Sequence, residues 1–188
     1  MTAKHVIIDC DPGQDDFINL MLVAAAPEVF EVAAITTVAG NVPLALTTHN
    51  ARLACDWAGW RQVPVYAGCP APLMRGLATA EHVHGATGVD GLPPATPGTP
   101  LIDTHAVPAM IDALRAAEAP VTLVFLDPPY GKGLGSKALA AARSGGWIAP
   151  GALIVWEESA PQPAPEGFSP LDTRRYGDTH VTLMERDG

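Results

Sequence analysis

Basic residues are scarce in this chain: 11 Lys and Arg stand against 20 Asp and Glu in 188 residues, a net charge of −9. A general nucleic-acid binder needs a basic footprint to neutralise phosphates, so the balance argues against RNA as a partner. No uninterrupted apolar run approaches the roughly 18 residues needed to span a bilayer. Thr2 to His5 is polar and the apolar run behind it is too short for a secretory signal, so no membrane partner is expected. Cysteine is also short: Cys10, Cys55 and Cys69 are odd in number and unpatterned, which fits a reducing cytoplasm and not a disulfide or structural-zinc framework. The acidic excess is uneven. Residues 1–123 hold five Lys/Arg against twelve Asp/Glu, whereas residues 124–188 hold six against eight. The two parts read as answering to different partners.

What is present is concentrated near the start. In Val-Ile-Ile-Asp-Cys-Asp-Pro-Gly-Gln-Asp-Asp, residues 6–16, four carboxylates follow a short apolar run. Val6 to Ile8 reads as a buried strand, Pro12 and Gly13 as a turn, and Phe17 to Ala26 as a helix. Asp9, Asp11, Asp15 and Asp16 thus gather at the carboxyl end of a strand, where open α/β sheets bind ligands. Like charges this close repel unless a cation or proton sits among them, and a hard, oxygen-seeking cation is the economical answer. The alternative is an acidic helix start, with Asp15 and Asp16 favoured by the helix dipole. Cys10 alternates away from the carboxylates and reads as core.

Strand patterns recur at 4–9, 30–37, 63–67, 120–126, 152–157 and 179–185, and helix patterns at 14–26, 43–59, 104–117 and 134–145. The alternation predicts an α/β fold with a largely parallel, Rossmann-like, doubly wound sheet. Gly68 to Pro100 reads as a long loop, and Ala160 to Pro170 as a Pro-rich surface loop.

Residues 1 to about 123 resemble the inosine–uridine-preferring nucleoside hydrolases. The resemblance rests on five motifs in order: Asp-Cys-Asp-Pro-Gly-Gln-Asp-Asp (9–16), Ile-Thr-Thr-Val-Ala-Gly-Asn (35–41), Thr-Thr-His-Asn-Ala (47–51), Val-Pro-Val-Tyr-Ala-Gly-Cys (63–69) and His-Val-His-Gly-Ala-Thr-Gly-Val-Asp-Gly (82–91). It implies hydrolysis of the N-glycosidic bond of a ribonucleoside, with Ca²⁺ as cofactor. Asp11 would be a calcium ligand and the base that deprotonates the attacking water. Asp16 would be a second ligand, Asp15 would hold a ribose hydroxyl, and Asn41 and His84 would contact the ribose. Carboxylates and a cation-bound water suit the positive charge that develops on the sugar. For Asn41 the alternative is a plain turn residue after Gly40, and for His84 a loop histidine with no ligand role. The family's Gly-Pro-Leu-Thr-Asn type turn, its later Asn/Glu cluster and its late His-Asp pair have no counterpart in this text, so weak or absent turnover is expected.

From about Leu123 onward the chain resembles the C-terminal part of bacterial small-subunit (16S) ribosomal RNA guanine-N2 methyltransferases. The matching text is Leu-Val-Phe-Leu-Asp-Pro-Pro-Tyr-Gly-Lys-Gly-Leu (123–134), Gly-Gly-Trp-Ile-Ala-Pro-Gly-Ala-Leu-Ile-Val-Trp-Glu (145–157) and Arg-Arg-Tyr-Gly-Asp-Thr (174–179). It implies that Asp127, Pro128, Pro129 and Tyr130 form an amine-receiving, base-stacking motif; alone, the four could be an ordinary tight turn. A Gly-rich S-adenosylmethionine turn is missing from the first strand, so that cofactor is not expected.

The text therefore reads as a chimera, a fusion of residues 1–123 with 124–188, whose seam lies in a strand both families possess. We expect one fused sheet in the order 3-2-1-4-5-7-6 with the last strand antiparallel. The carboxyl ends of strands one and four would then share a crevice. Aligned on the shared proline, the Tyr130 carbonyl would complete the metal shell of Asp11 and Asp16, and Asp127 would stand in for the missing aspartate. The alternative is an empty acidic cleft. Three functions compete: a hydrolase acting on a ribonucleoside or ribose-like small molecule, a methyltransferase without its cofactor loop, and an inactive fusion. Oligomeric state stays open, with a homodimer among the options.

Overall fold

A computed structural model describes residues 3–72, 76–117, 119–128 and 130–188. The chain divides into two compact units, Met1–Arg115 and Ala116–Gly188, each with its own sheet and its own core.

The first unit carries a parallel sheet in the order β1-β2-β3-β4, with β1 at Lys4–Cys10, β2 at Phe30–Thr37, β3 at Val65–Ala67 and β4 at Leu101–Ile102. Helix α1 (Gln14–Ala24) returns the chain from β1 to β2, and α2 (Leu44–Ala58) from β2 to β3. The continuous apolar run of β2 is that of a strand covered on both faces, and Ala34 to Thr37 are all buried. Cys10, Phe17, Leu20, Ile35, Leu53, Ala54, Cys55 and Val65 form the core. The Phe17 ring meets Trp57 edge-on at 5.5 Å. Helix α2 stops at Gly59, whose φ of +73° is the left-handed cap that glycine adopts without steric cost. The described residues between Gly68 and Pro100 are mostly irregular and include one helical turn, α3 (Glu81–His84); α4 (Ala106–Ala116) closes the unit.

The second unit carries a mixed sheet in the order β5-β6-β8-β7: β5 is Val121–Leu126, β6 Ile148–Glu158, β7 Phe168–Tyr176 and β8 Thr179–Arg186. β5 runs parallel to β6, and β8 antiparallel to both β6 and β7. The crossover helix α5 (Leu134–Ser144) lies so close to the sheet that a Cβ at Gly135 would overlap the Trp156 indole. Leu139, Ile148, Ile154, Trp156, Phe168 and Met184 make the core. β5 ends the sheet, with Leu123 41% and Phe125 74% exposed.

The expected single sheet is corrected to two. The described strands form one sheet in the order β4-β3-β2-β1 and a second in the order β5-β6-β8-β7. The expectation assumed that a strand common to both families would pair with β1; the pairing seen for β5 among the described residues is with β6. The expected surface loop also ends early, because Phe168 to Pro170 already pair with β8. Among the described residues no helix is long and apolar enough to cross a membrane.

Candidate active site

The turn that follows β1 is tied to its neighbours through backbone and carboxylate. Asp11 accepts the backbone N–H of Asn41 at Oδ2 (2.6 Å), and its carbonyl accepts the Asn41 side-chain amide (3.1 Å). The Asp11 N–H in turn donates to Asp16 Oδ2 at 3.1 Å. The connection after β2 can approach because Gly40 has no side chain: a Cβ there would overlap the Asp11 carboxylate. Gly13 plays the same part for His84, whose Nδ1 would lie 2.5 Å from an added Cβ. That nitrogen is buried without a hydrogen-bond partner among the described residues and lies 3.9 Å from Asp15 Oδ1. Asp11, Asp15, Asp16, Asn41 and His84 thus gather within the first unit, around the carboxyl end of β1.

Asp9 is not part of this group. Its carboxylate accepts the hydroxyl of Thr36, on the neighbouring strand β2, at 2.5 Å. Burial raises the Asp9 carboxyl above the ordinary range, against the Thr36 hydrogen bond that lowers it. Cys10 is buried as expected, and burial pushes its thiol well up.

Desolvation raises Asp11 and Asp16 as well; the Asn41 N–H partly offsets it for Asp11, and the Asp11 N–H for Asp16. Neighbouring carboxylates add to the rise in both. A carboxylate held above its usual value is a better proton acceptor near neutrality.

Sequence reasoning missed the scaffolding of this turn. Asn50, buried on α2, donates through Nδ2 to Pro12 O and Thr87 O, both at 2.9 Å, and so pins the acidic turn to the loop that carries His84. Asp90 folds the next loop back on itself by accepting from Ala86 N–H, Thr87 N–H and the Thr87 hydroxyl.

The second expected motif lies in the other unit, in the turn between β5 and α5. The Tyr130 hydroxyl donates to Glu157 Oε1 at 2.6 Å. Burial and that hydrogen bond both raise the phenol's pKa. The buried Glu158 accepts Gly131 N–H at 2.7 Å and Ser159 N–H at 2.8 Å, and so holds the turn from below. Pro129 lies outside the described residues. Tyr130 and Asp127 belong to the second unit, and Asp11 and Asp16 to the first. No group of three or more His, Cys, Asp or Glu side chains that could hold a metal occurs among the described residues.

The sequence profile described as inosine-uridine preferring nucleoside hydrolase matches residues 6–128, well over half of the chain. The chain belongs to that family. A second profile, conserved hypothetical protein 95, an rRNA methylase family, matches residues 102–185. The two matches overlap across α4 and β5, and the expected seam at about Leu123 falls inside the overlap. Among curated nucleoside hydrolases, the inosine-uridine preferring enzyme of Leishmania major is 44% identical over 124 residues, 65% of this chain and 40% of its own. The Crithidia fasciculata enzyme of the same description is 43% identical over 139 residues, 73% of this chain and 42% of its own. A purine-preferring ribonucleoside hydrolase from Gardnerella vaginalis superposes with a TM-score of 0.61 at 25% identity, covering 84% of this chain and 49% of that one. The chain spans about two fifths of the length of the curated relatives it matches.

Proposed function

We propose that the first unit is a ribonucleoside N-glycosidase site of reduced power. The observation that supports it is the joint placement of Asp11, Asp16, Asn41 and His84, with Asp11 Oδ2 fixed by the Asn41 N–H at 2.6 Å. Asp11 takes the proton of the attacking water, and its raised pKa suits it to that task. Asp15, Asn41 and the unpartnered Nδ1 of His84 bind the ribose and orient it. Asp11 and Asp16 are the side chains that would hold Ca²⁺, which when bound acidifies the attacking water. Residues beyond 128 lie outside the hydrolase match, so a leaving-group acid and further metal ligands are not supplied by that family's text. Each such element is worth about 10²–10⁴ in rate, and slow turnover follows.

The test is release of reducing sugar from inosine, uridine and p-nitrophenyl riboside with Ca²⁺ present. We expect slow turnover that Asp11→Asn lowers by about 10²–10⁴. Turnover indifferent to Asp11→Asn would reject the site, and calorimetric silence toward millimolar Ca²⁺ would reject the metal. A second reading, a methyltransferase-type site at Asp127 to Tyr130 without its S-adenosylmethionine loop, is favoured by the match over residues 102–185. Transfer of a labelled methyl group to 30S particles would replace the first reading with it, and silence in both assays points to an inactive fusion.

A further inference from the structure

The second unit contains an open cavity of about 480 Å³ that neither motif uses. Its walls are Ala140, Arg143 and Ser144 from the last turns of α5, Pro165 and Glu166 from the loop before β7, and Arg186 at the end of β8. This volume falls within the range of small-molecule sites, about 300–1,000 Å³. The cavity lies at the carboxyl end of α5, whereas Tyr130 lies before the helix begins.

Two guanidiniums line the cavity, and each is held from behind. Arg143 donates to the Glu166 carbonyl at 2.6 Å. It lies over Gly167, where φ is +83° and a Cβ would overlap the guanidinium. Arg186 donates through Nη1 to the Ile148 carbonyl. On the same side chain Nε is buried and has no hydrogen-bond partner among the described residues. A guanidinium carries five N–H donors, so most of those on the two side chains are not committed to these carbonyls. A buried polar group without a partner in a native fold calls for an explanation. The Glu166 carboxylate is the acidic group on the cavity wall; it is 94% exposed and only 3.8 Å from Arg143 Nη1, a solvated and weak partner.

We propose that this cavity binds the phosphate group of a small organic phosphate. Arg143 and Arg186 clamp the oxygens from two sides, Ser144 offers a hydroxyl at the rim, and the remaining volume takes the organic part. Paired guanidiniums favour a tetrahedral oxyanion because their planar forks match its oxygens.

Calorimetric titration of the full chain with inorganic phosphate, in low-salt buffer free of other oxyanions, tests this. Saturable one-site binding is expected, weakened about tenfold or more by Arg143→Gln and by Arg186→Lys. Glu166→Gln, a surface change, should tighten binding, which a purely structural role for the arginines would not produce. If Arg186→Lys disturbs folding in circular dichroism, Arg143→Gln and Glu166→Gln decide the matter. Absence of saturable binding at millimolar phosphate, or binding indifferent to both of those variants, overturns the proposal.

Discussion

Burial and mutual repulsion act in the same direction on Asp11 and Asp16, and the consequence is a pH dependence of definite sign. Both carboxyls titrate above the ordinary value, chiefly through desolvation. Between the unfolded and the raised folded pKa the native chain binds more protons than the unfolded one. The stability contribution of these groups is therefore full below the unfolded value and is lost as pH rises through the folded one. Asp16→Asn keeps an oxygen to accept the Asp11 N–H but removes one charge. In melting curves recorded across the carboxylate range, the variant should lose less stability than the parent as pH rises and should melt higher at neutral pH. An identical pH slope in the two proteins would contradict the repulsion. His84 and Asn41 were singled out as candidates because their motifs came in a specific order. Asn50 was not, since an amide inside a helix carries no pattern until its two carbonyl partners are seen.

Among the elements, α2 does more than cover the sheet. Its Asp56 accepts Gly98 N–H at 2.5 Å, Thr99 N–H at 2.8 Å and the Thr99 hydroxyl at 2.7 Å, while Arg52 Nε donates to the Thr99 carbonyl at 2.7 Å. These bonds deliver the chain from its long loop into β4. The Thr99 hydroxyl, and the two N–H groups after it, hold the Asp56 carboxyl below its usual range. That stabilisation is present above the unfolded pKa and fades as acid is added. Asp56→Ala should cost the first unit about 1–3 kcal/mol, read as a lower melting temperature at neutral pH and a smaller difference in acid. The longer helices and the apolar strands were legible from periodicity alone. β7 was not: every residue after Phe168 is exposed, so the strand has no apolar face to write into the sequence, and Pro170 argued further against it. Its existence depends on backbone pairing with β8, which composition does not encode.

For the molecule as a whole, two cores imply two independent sources of stability. Ile35 and Ile154 are both fully buried, one in each core. Truncation of either to alanine should cost about 2–5 kcal/mol. Scanning calorimetry should show Ile35→Ala lowering one transition and Ile154→Ala the other; a single transition moved by both would mean that the units melt together. The single sheet expected from sequence failed at this scale because family text fixes which residues make a strand, whereas the partner of an edge depends on what lies beside it. That edge has a practical side. Val121 to Leu126 is six residues without a charge or a proline at the end of its sheet, the make-up of an edge prone to pair with another strand. In concentrated samples, the lifetime of dispersed protein should therefore be set by encounters at this rim.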